Sequence, residues 1–267
     1  VKIAVLVKQV PRTDKIKIDK ESGTLIRKGV ESILNPYCEY ALDMAVSLKK
    51  QYGNIGEIVA FTMGPPSAEL VLRRAVALGA DRGVLLSDRA FSGADCWATA
   101  YTLSRGIISI LGNPEIIICG KQAIDGDTAQ VPGEISEIME IPVLPYVTEV
   151  KTLDDKTITV VSEFENELIK LHAPFPVLIT AGSGSNIRRF PSVNDVLRAY
   201  KSDIVILDKD KAGCNDIDIG LKGSPTRVVK IEPLVSKGTC SMFDESSFKE
   251  GLEAVKELFV ENCHEKN

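Results

Sequence analysis

A chain of 267 residues with 44% hydrophobic content is long enough for one large domain, or one domain with a substantial extension, around a real core. The net charge of −5 and a pI near 5.3 argue against a nucleic-acid binder, which needs a basic face. No apolar run approaches the length of about 18 residues that a membrane span requires.

Residues 1–7 form a β-branched run too short for a signal peptide and without its cleavage site, and they read as a first strand. Lys8-Gln9-Val10-Pro11 follows, and the proline ends the strand, leaving a polar loop at its C-terminal end. In an open parallel sheet that edge binds ligands, so Lys8 faces either a phosphate, a flavin ring or plain solvent. Residues 12–34 are a long polar excursion with a small hairpin expected around residues 21–24. Asn35-Pro36 then opens a helix, with asparagine as N-cap and proline at N1; Tyr37, Ala41, Met44, Ala45 and Leu48 recur on one face. By this logic Asn35 is a cap first and a ligand contact second.

Residues 57–61 make the next strand, and residues 62–67 form a second strand-to-helix loop on the same edge, with a helix to Leu78 and Gly79 as its stop. Residues 83–86 are strand-like, residues 87–90 are a third loop, and a helix over about 94–111 carries the single tryptophan, Trp97, expected to pack. The run at 114–118 reads as a buried strand feeding the stretch 119–133, Cys-Gly-Lys-Gln-Ala-Ile-Asp-Gly-Asp-Thr-Ala-Gln-Val-Pro-Gly, before a helix ending near Glu140. A strand, a loop with glycine and a helix start aim backbone N–H groups and a helix dipole at one point, which suits a phosphate. The spacing of Asp127 and Gln130 also matches a capping box, so the two readings stand side by side, and this is no G-x-G-x-x-G fingerprint.

After Ile141-Pro142 the pattern turns into strands at 143–150, 157–164 and 168–171, an antiparallel meander closed by a last apolar strand at 177–180. Residues 182–185 break the pattern, and residues 188–197 begin a short helix. From 200 to 231 no second core is evident, and an amphipathic helix over about 246–260 closes the chain with Phe248, Leu252, Val255, Leu258 and Phe259 on one side. The predicted architecture is α/β, a doubly wound mostly parallel sheet with an antiparallel β-meander and an extended C-terminal arm. Residues 1–200 are the nucleotide-binding domain, and residues 201–267 are an arm that docks on a partner subunit.

Cys38, Cys96, Cys119, Cys214, Cys240 and Cys263 show no C-x-x-C pair or zinc spacing, and they read as reduced thiols of a cytoplasmic protein. With His172 and His264 as the only histidines, neither a metal site nor a catalytic residue is expected; His172 reads as a satisfied strand-end histidine.

Taken together, Lys8-Gln9-Val10-Pro11, Asn35-Pro36 with Glu39 and Ala41-Leu42, the Ala-Val-Ala-Leu-Gly-Ala-Asp run at 75–81, and above all Gly120-Lys121-Gln122-Ala123-Ile124-Asp125 with Asp127 and Gln130 resemble the beta subunit of electron-transferring flavoprotein over nearly the whole length. The resemblance implies a heterodimer whose alpha subunit carries an electron-transferring FAD, while this subunit holds an adenine nucleotide. That nucleotide is a structural AMP in ordinary members and a second FAD, reduced by NADH, in flavin-bifurcating members. Residues 125–130 resemble the bifurcating type, so FAD is the expected ligand and AMP the alternative.

By carry-over from the family, Val7, Lys8, Asn35, Thr62, Met63, Cys119, Gly120, Ala123, Asp125, Gly126, Asp127, Thr128, Ala129, Gln130 and Val131 line the nucleotide. Gly64, Pro65, Ser87, Asp88, Arg89 and Ala90 lie on the NADH side. Arg189, Phe190, Val193, Val196 and Leu197 match the segment that docks on an acyl-CoA dehydrogenase or reductase, with the shorter Val193 at the anchor position. Ferredoxin or flavodoxin is the second electron acceptor that the bifurcating reading implies. Pro132 departs from the expected helix start and predicts a helix that begins later or is kinked. An α/β nucleotide-binding regulatory protein without redox chemistry is the reading from a different class.

Overall fold

A computed structural model describes residues 1–12, 17–18, 25–26, 31–182, 189–229, 242–244 and 246–264. Strand β1 (Lys2–Leu6) lies in the interior of its sheet. It is followed by β2 (Gln9–Pro11), the short pair β3 (Lys17–Ile18) and β4 (Leu25–Ile26), β5 (Ser32–Leu34) and helix α1 (Pro36–Gln51). Next come β6 (Glu57–Met63), α2 (Glu69–Leu78), β7 (Arg82–Leu86), α3 (Cys96–Leu111), β8 (Ile116–Gly120) and α4 (Val131–Met139). The meander β9 (Val143–Leu153), β10 (Thr157–Phe164) and β11 (Glu167–Pro174) leads to β12 (Val177–Ala181), α5 (Val193–Lys201), β13 (Ile204–Leu207) and α6 (Phe248–His264).

Nine strands form one sheet in the order β11-β10-β9-β12-β8-β1-β6-β7-β13. Neighbours from β9 to β13 pair in parallel, and only the β9–β10 and β10–β11 pairs are antiparallel. The central strands are apolar throughout because both faces are covered. Alternate side chains of β1 go to opposite layers: Ile3 and Val5 join the core beneath α1 and α2, whereas Ala4 and Leu6 join the core beneath α3 and α4. This is the doubly wound architecture expected from the alternation of strands and helices.

Local signals account for the ends of these elements. Gly79 stops α2 at φ +125°, and a Cβ there would meet a Val46 methyl at 2.8 Å. Asp95 caps α3 by accepting from Ala98 N. Trp97 is 40% exposed, because Ala98, Thr102, Leu103 and Ile107 define a buried face of α3 on whose rim position 97 falls. His172 on β11 hydrogen-bonds through Nδ1 to Thr159 Oγ1 at 2.9 Å, the satisfied strand histidine that was expected. Cys38, Cys96, Cys119 and Cys214 are free thiols. The expected hairpin tip at 21–24 and the break at 183–185 lie outside the described residues.

The expected boundary at residue 200 falls inside the sheet. The run 204–207 pairs with Gly83–Leu86 along the edge of β7, which satisfies β7's free ladder groups, and Ala212 and Ile219 of the following turns are buried in the core beneath α3. The chain divides instead into Val1–Ile231 and Glu232–Asn267. In the second unit α6 begins after Asp244 has capped the turn at Ser246 and Ser247, and a Cβ on Gly251 would meet the Phe243 ring at 2.8 Å.

Candidate nucleotide site at the sheet switch point

From β1 the chain passes through α1 to β6 on one side; from β7 it passes through α3 and returns to β8 on the other side of β1. The strand order therefore reverses between β1 and β8, and the crevice beyond their C-terminal ends is where open α/β sheets take ligands. The loops that sequence reasoning singled out after β1 and β8 meet there.

Asn35 joins them. Its side chain is 1% exposed; Nδ2 donates to Gln122 O at 2.9 Å, and Oδ1 accepts from Ile124 N at 3.2 Å. Its own backbone N donates to Lys8 O at 2.9 Å. Asn35 holds the N-cap position of α1 but makes no capping bond with its side chain. The expected capping bond is therefore absent, and Pro36 at N1 sets the helix start instead.

Lys8 Nζ lies 2.7 Å from Asp125 Oδ1, and Gln122 Nε2 donates to Asp127 Oδ1. Each carboxylate is thereby engaged before any anion arrives. Thr128 Oγ1 lies 3.3 Å from Cys96 Sγ. Asp127 and Ala129 both adopt left-handed backbone, with φ of 52° and 54°, each costing about 1–3 kcal/mol outside glycine. These contacts hold the loop in a conformation that its sequence alone disfavours.

The capping box does not form. Gln130 is itself the N-cap of α4 and has no side-chain cap bond, while Pro132 sits within the first turn, where its missing N–H costs nothing. The helix begins later, as Pro132 predicts. Ala129 with positive φ is followed by Gln130 at φ −86° and ψ −39°, an alternation that points successive N–H groups to one side and makes an anion nest. Among the described residues the amides of Thr128, Ala129, Gln130 and Val131 donate to no acceptor.

Glycines of the site have opposite constraints. A Cβ on Gly120 would lie 2.6 Å from the Tyr37 carbonyl carbon, so β8 can end against α1 only with glycine there. A Cβ on Gly126 would meet nothing within 4 Å. At the end of β6, Thr62 is 1% exposed, and its Oγ1 has no partner among the described residues. Val7 N donates to Phe61 O at 2.8 Å, which closes β1 against β6, and Met63 is half-buried beside Thr62. Burial pushes up the thiol pKa values of Cys38 and Cys119, so both stay protonated. Ala123 accepts from Asp127 N at 2.9 Å and closes the turn.

Gly64, Pro65, Ser87, Asp88, Arg89 and Ala90 lie at the ends of β6 and β7. Gly64 N donates to Leu86 O at 3.0 Å and Ser87 N to Leu207 O at 2.9 Å. The amides of Ala90 and Lys209 hold the Asp88 carboxyl below the usual carboxylate range, so its acceptors serve the turn. Arg89 is exposed. The remaining expected residues lie apart from the loop, against α1 and α2. Arg189 pairs with buried Asp43 at 3.2 Å and donates to Ser47 Oγ at 3.1 Å. Phe190, Val193, Val196 and Leu197 present 86%, 76%, 41% and 54% of their surface. Cys96 was missed as a neighbour of the loop, since nothing in the sequence around 96 links it to 128. Among the described residues no group of three or more His, Cys, Asp or Glu could hold a metal ion, and no helix is long and apolar enough to cross a membrane.

Residues 22–212 match the family described as the electron transfer flavoprotein domain. The electron transfer flavoprotein subunit beta of Thermoanaerobacterium thermosaccharolyticum is 44% identical over 228 residues, 85% of this chain and 86% of that one. Protein FixA of Sinorhizobium fredii is 43% identical over 86% of this chain and 82% of its own. The caffeyl-CoA reductase-Etf complex subunit CarD of Acetobacterium woodii is 40% identical over 250 residues, 93% of this chain and 94% of its own.

Proposed function

The chain belongs to the electron transfer flavoprotein family, among its beta subunits, and from that premise we propose that its crevice between β1 and β8 binds FAD, which takes a hydride from NADH and sends its two electrons along separate routes. One route leads to the FAD of the alpha subunit and on to an acyl-CoA dehydrogenase or reductase, the other to ferredoxin or flavodoxin. The observation that carries the reading is the loop 125–131: unpaired amides, two left-handed residues, and open space at Gly126.

The chain's residues divide the binding work. The amides of 128–131 and the start of α4 suit a diphosphate, which is larger and more charged than the single phosphate of AMP. Lys8, paired with Asp125 of the loop, is a cation able to turn toward an anion. No side chain is needed as nucleophile or acid, because the protein's part is to place the cofactor and set its potential through hydrogen bonds and charge. Segment 189–197, with its exposed apolar side chains, is the surface for the dehydrogenase, and the unit Glu232–Asn267 docks on the alpha subunit. The name of the CarD relative places that protein in a complex with an acyl-CoA reductase, which is in keeping with this assignment.

The test is the nucleotide content of the purified heterodimer, acid-released, separated and counted. Two FAD and no AMP per heterodimer, with NADH bleaching the flavin, is the expected result. One FAD and one AMP would overturn the bifurcating reading and leave a simple electron carrier.

A further inference from the structure

Helix α5 (Val193–Lys201) has nine residues and starts with a full capping box between Ser192 and Asp195, but helices this short are marginal in water by themselves. Tertiary burial adds little. Ala199 is its one buried side chain, and it clusters with Val76 and Ala77 of α2, separate from both cores. The apolar residues that would normally hold a helix down, Val193, Val196 and Leu197, point to solvent.

What fastens α5 is polar. Arg73 of α2 donates through Nη1 to Ala199 O at 2.8 Å, Tyr200 O at 2.9 Å and Ser202 O at 3.3 Å. Its Nε and Nη2 are held by Glu69 Oε1 at 2.8 and 2.6 Å, and its guanidinium carbon lies 5.7 Å from the centre of the Tyr200 ring. Ala199 O and Tyr200 O are among the carbonyls that a helix end leaves without partners, Ser202 is the C-cap, and a cation there also meets the negative end of the dipole. In return, Arg198 of α5 donates to Val76 O, in the last turn of α2, at 3.1 Å.

We propose that Arg73 is the positioning residue for partner docking: it orders α5 in advance, so that the exposed face of Phe190, Val193, Val196 and Leu197 is presented without an ordering cost at the moment of binding. The inference rests on the docking role assigned above to residues 189–197. The guanidinium serves the three carbonyls through Nη1 while Nε and Nη2 stay on the Glu69 carboxylate; a lysine has one nitrogen for both tasks.

The test uses the complete heterodimer as electron acceptor for a purified acyl-CoA dehydrogenase and its acyl-CoA. Arg73→Met should raise the apparent KM for the heterodimer about tenfold or more, the scale of losing charge-assisted bonds, with kcat and nucleotide content unchanged. Amide exchange within 197–201 should accelerate in the same variant, and Arg73→Lys should recover part of both. Glu69→Gln, which loosens the guanidinium without removing it, should give a smaller rise. Val193→Asp separates the two levels of the argument. If it raises KM while Arg73→Met does not, the positioning role is overturned and the docking surface stands; if neither variant alters KM, the docking assignment itself falls. Unchanged exchange in 197–201 for Arg73→Met would also overturn the proposal.

Discussion

Gly120, the last residue of β8, and Gly126, in the loop that follows, stand six positions apart, and substituting them asks different questions. At Gly120 a methyl would collide with backbone atoms of Tyr37 at 2.6–2.7 Å, so any substitution there attacks the fold. Gly126 has open space around its missing Cβ and no positive φ to forbid a side chain. Gly126→Leu should therefore leave folding and heterodimer formation unchanged, within about 0.5 kcal/mol as for other surface changes, while filling the volume that the ligand needs. Nucleotide retained per purified heterodimer is the readout, and the expected result is a loss of at least tenfold in affinity, as for a steric cost of about 1.4 kcal/mol. Full retention in that variant would remove the loop from the binding site. Asn35 shows the opposite economy, a single buried amide spanning Gln122 O and Ile124 N, whose role no local spacing could reveal.

At the scale of elements, the central strands were legible because a parallel strand covered on both faces is an unbroken apolar run, and α1 to α3 were legible from their 3.6-residue periodicity and their stops. Two features were not. Asp127 and Gln130 have capping-box spacing, but the Asp127 carboxylate is taken by Gln122, and Lys8 and Cys96 tie down Asp125 and Thr128 from a distance, so other bonds override the local motif. The run 204–207 is too short to announce itself; its place is set by the free edge of β7. The same kind of distant bond fixes the segment that follows. Asp95 accepts from Thr226 N at 2.9 Å and Thr226 Oγ1 at 2.8 Å, and Asp95 N donates to Ser224 Oγ at 2.8 Å. Burial alone would raise the Asp95 pKa, but the hydrogen bonds from Ala98, Thr226 and Ser224 outweigh it and hold the carboxyl below its ordinary value. A folded pKa below the unfolded one means that this contribution is complete above the unfolded value of about 3.9 and is lost as pH falls through the folded one. Protection of the Thr226 amide, corrected for intrinsic exchange, should hold from neutrality to about pH 4 and then decline. Asp95→Asn should abolish that decline, since an amide has no proton to gain; persistence of the decline would assign it to another carboxylate.

Across the whole molecule, the crevice draws on residues from Val7 to Val131 and on both layers of the sheet, with Asn35 entering from the α1 side and Cys96 and α4 from the other. A ligand seated there contacts groups that exist together only when the sheet is formed. It therefore binds the folded state alone and stabilises it by mass action, about 4 kcal/mol at a thousandfold excess over Kd. For a domain of this size each kcal/mol moves Tm by about 2–4 °C, so returning FAD to heterodimer stripped of its nucleotide should raise Tm by about 10 °C. AMP in place of FAD distinguishes the ligands within the same experiment. A diphosphate nest leaves AMP with a single phosphate to offer, and its shift at equal excess over FAD's Kd should be well below that of FAD. An equal or larger shift with AMP would assign the amides of 128–131 to a monophosphate, and with it make this subunit a structural partner in electron transfer and move the site of NADH oxidation elsewhere. Gly126→Leu supplies the internal reference: its stripped form should melt at the wild-type temperature, and its stabilisation by FAD should be smaller by about 1.4 kcal/mol for each tenfold loss of affinity.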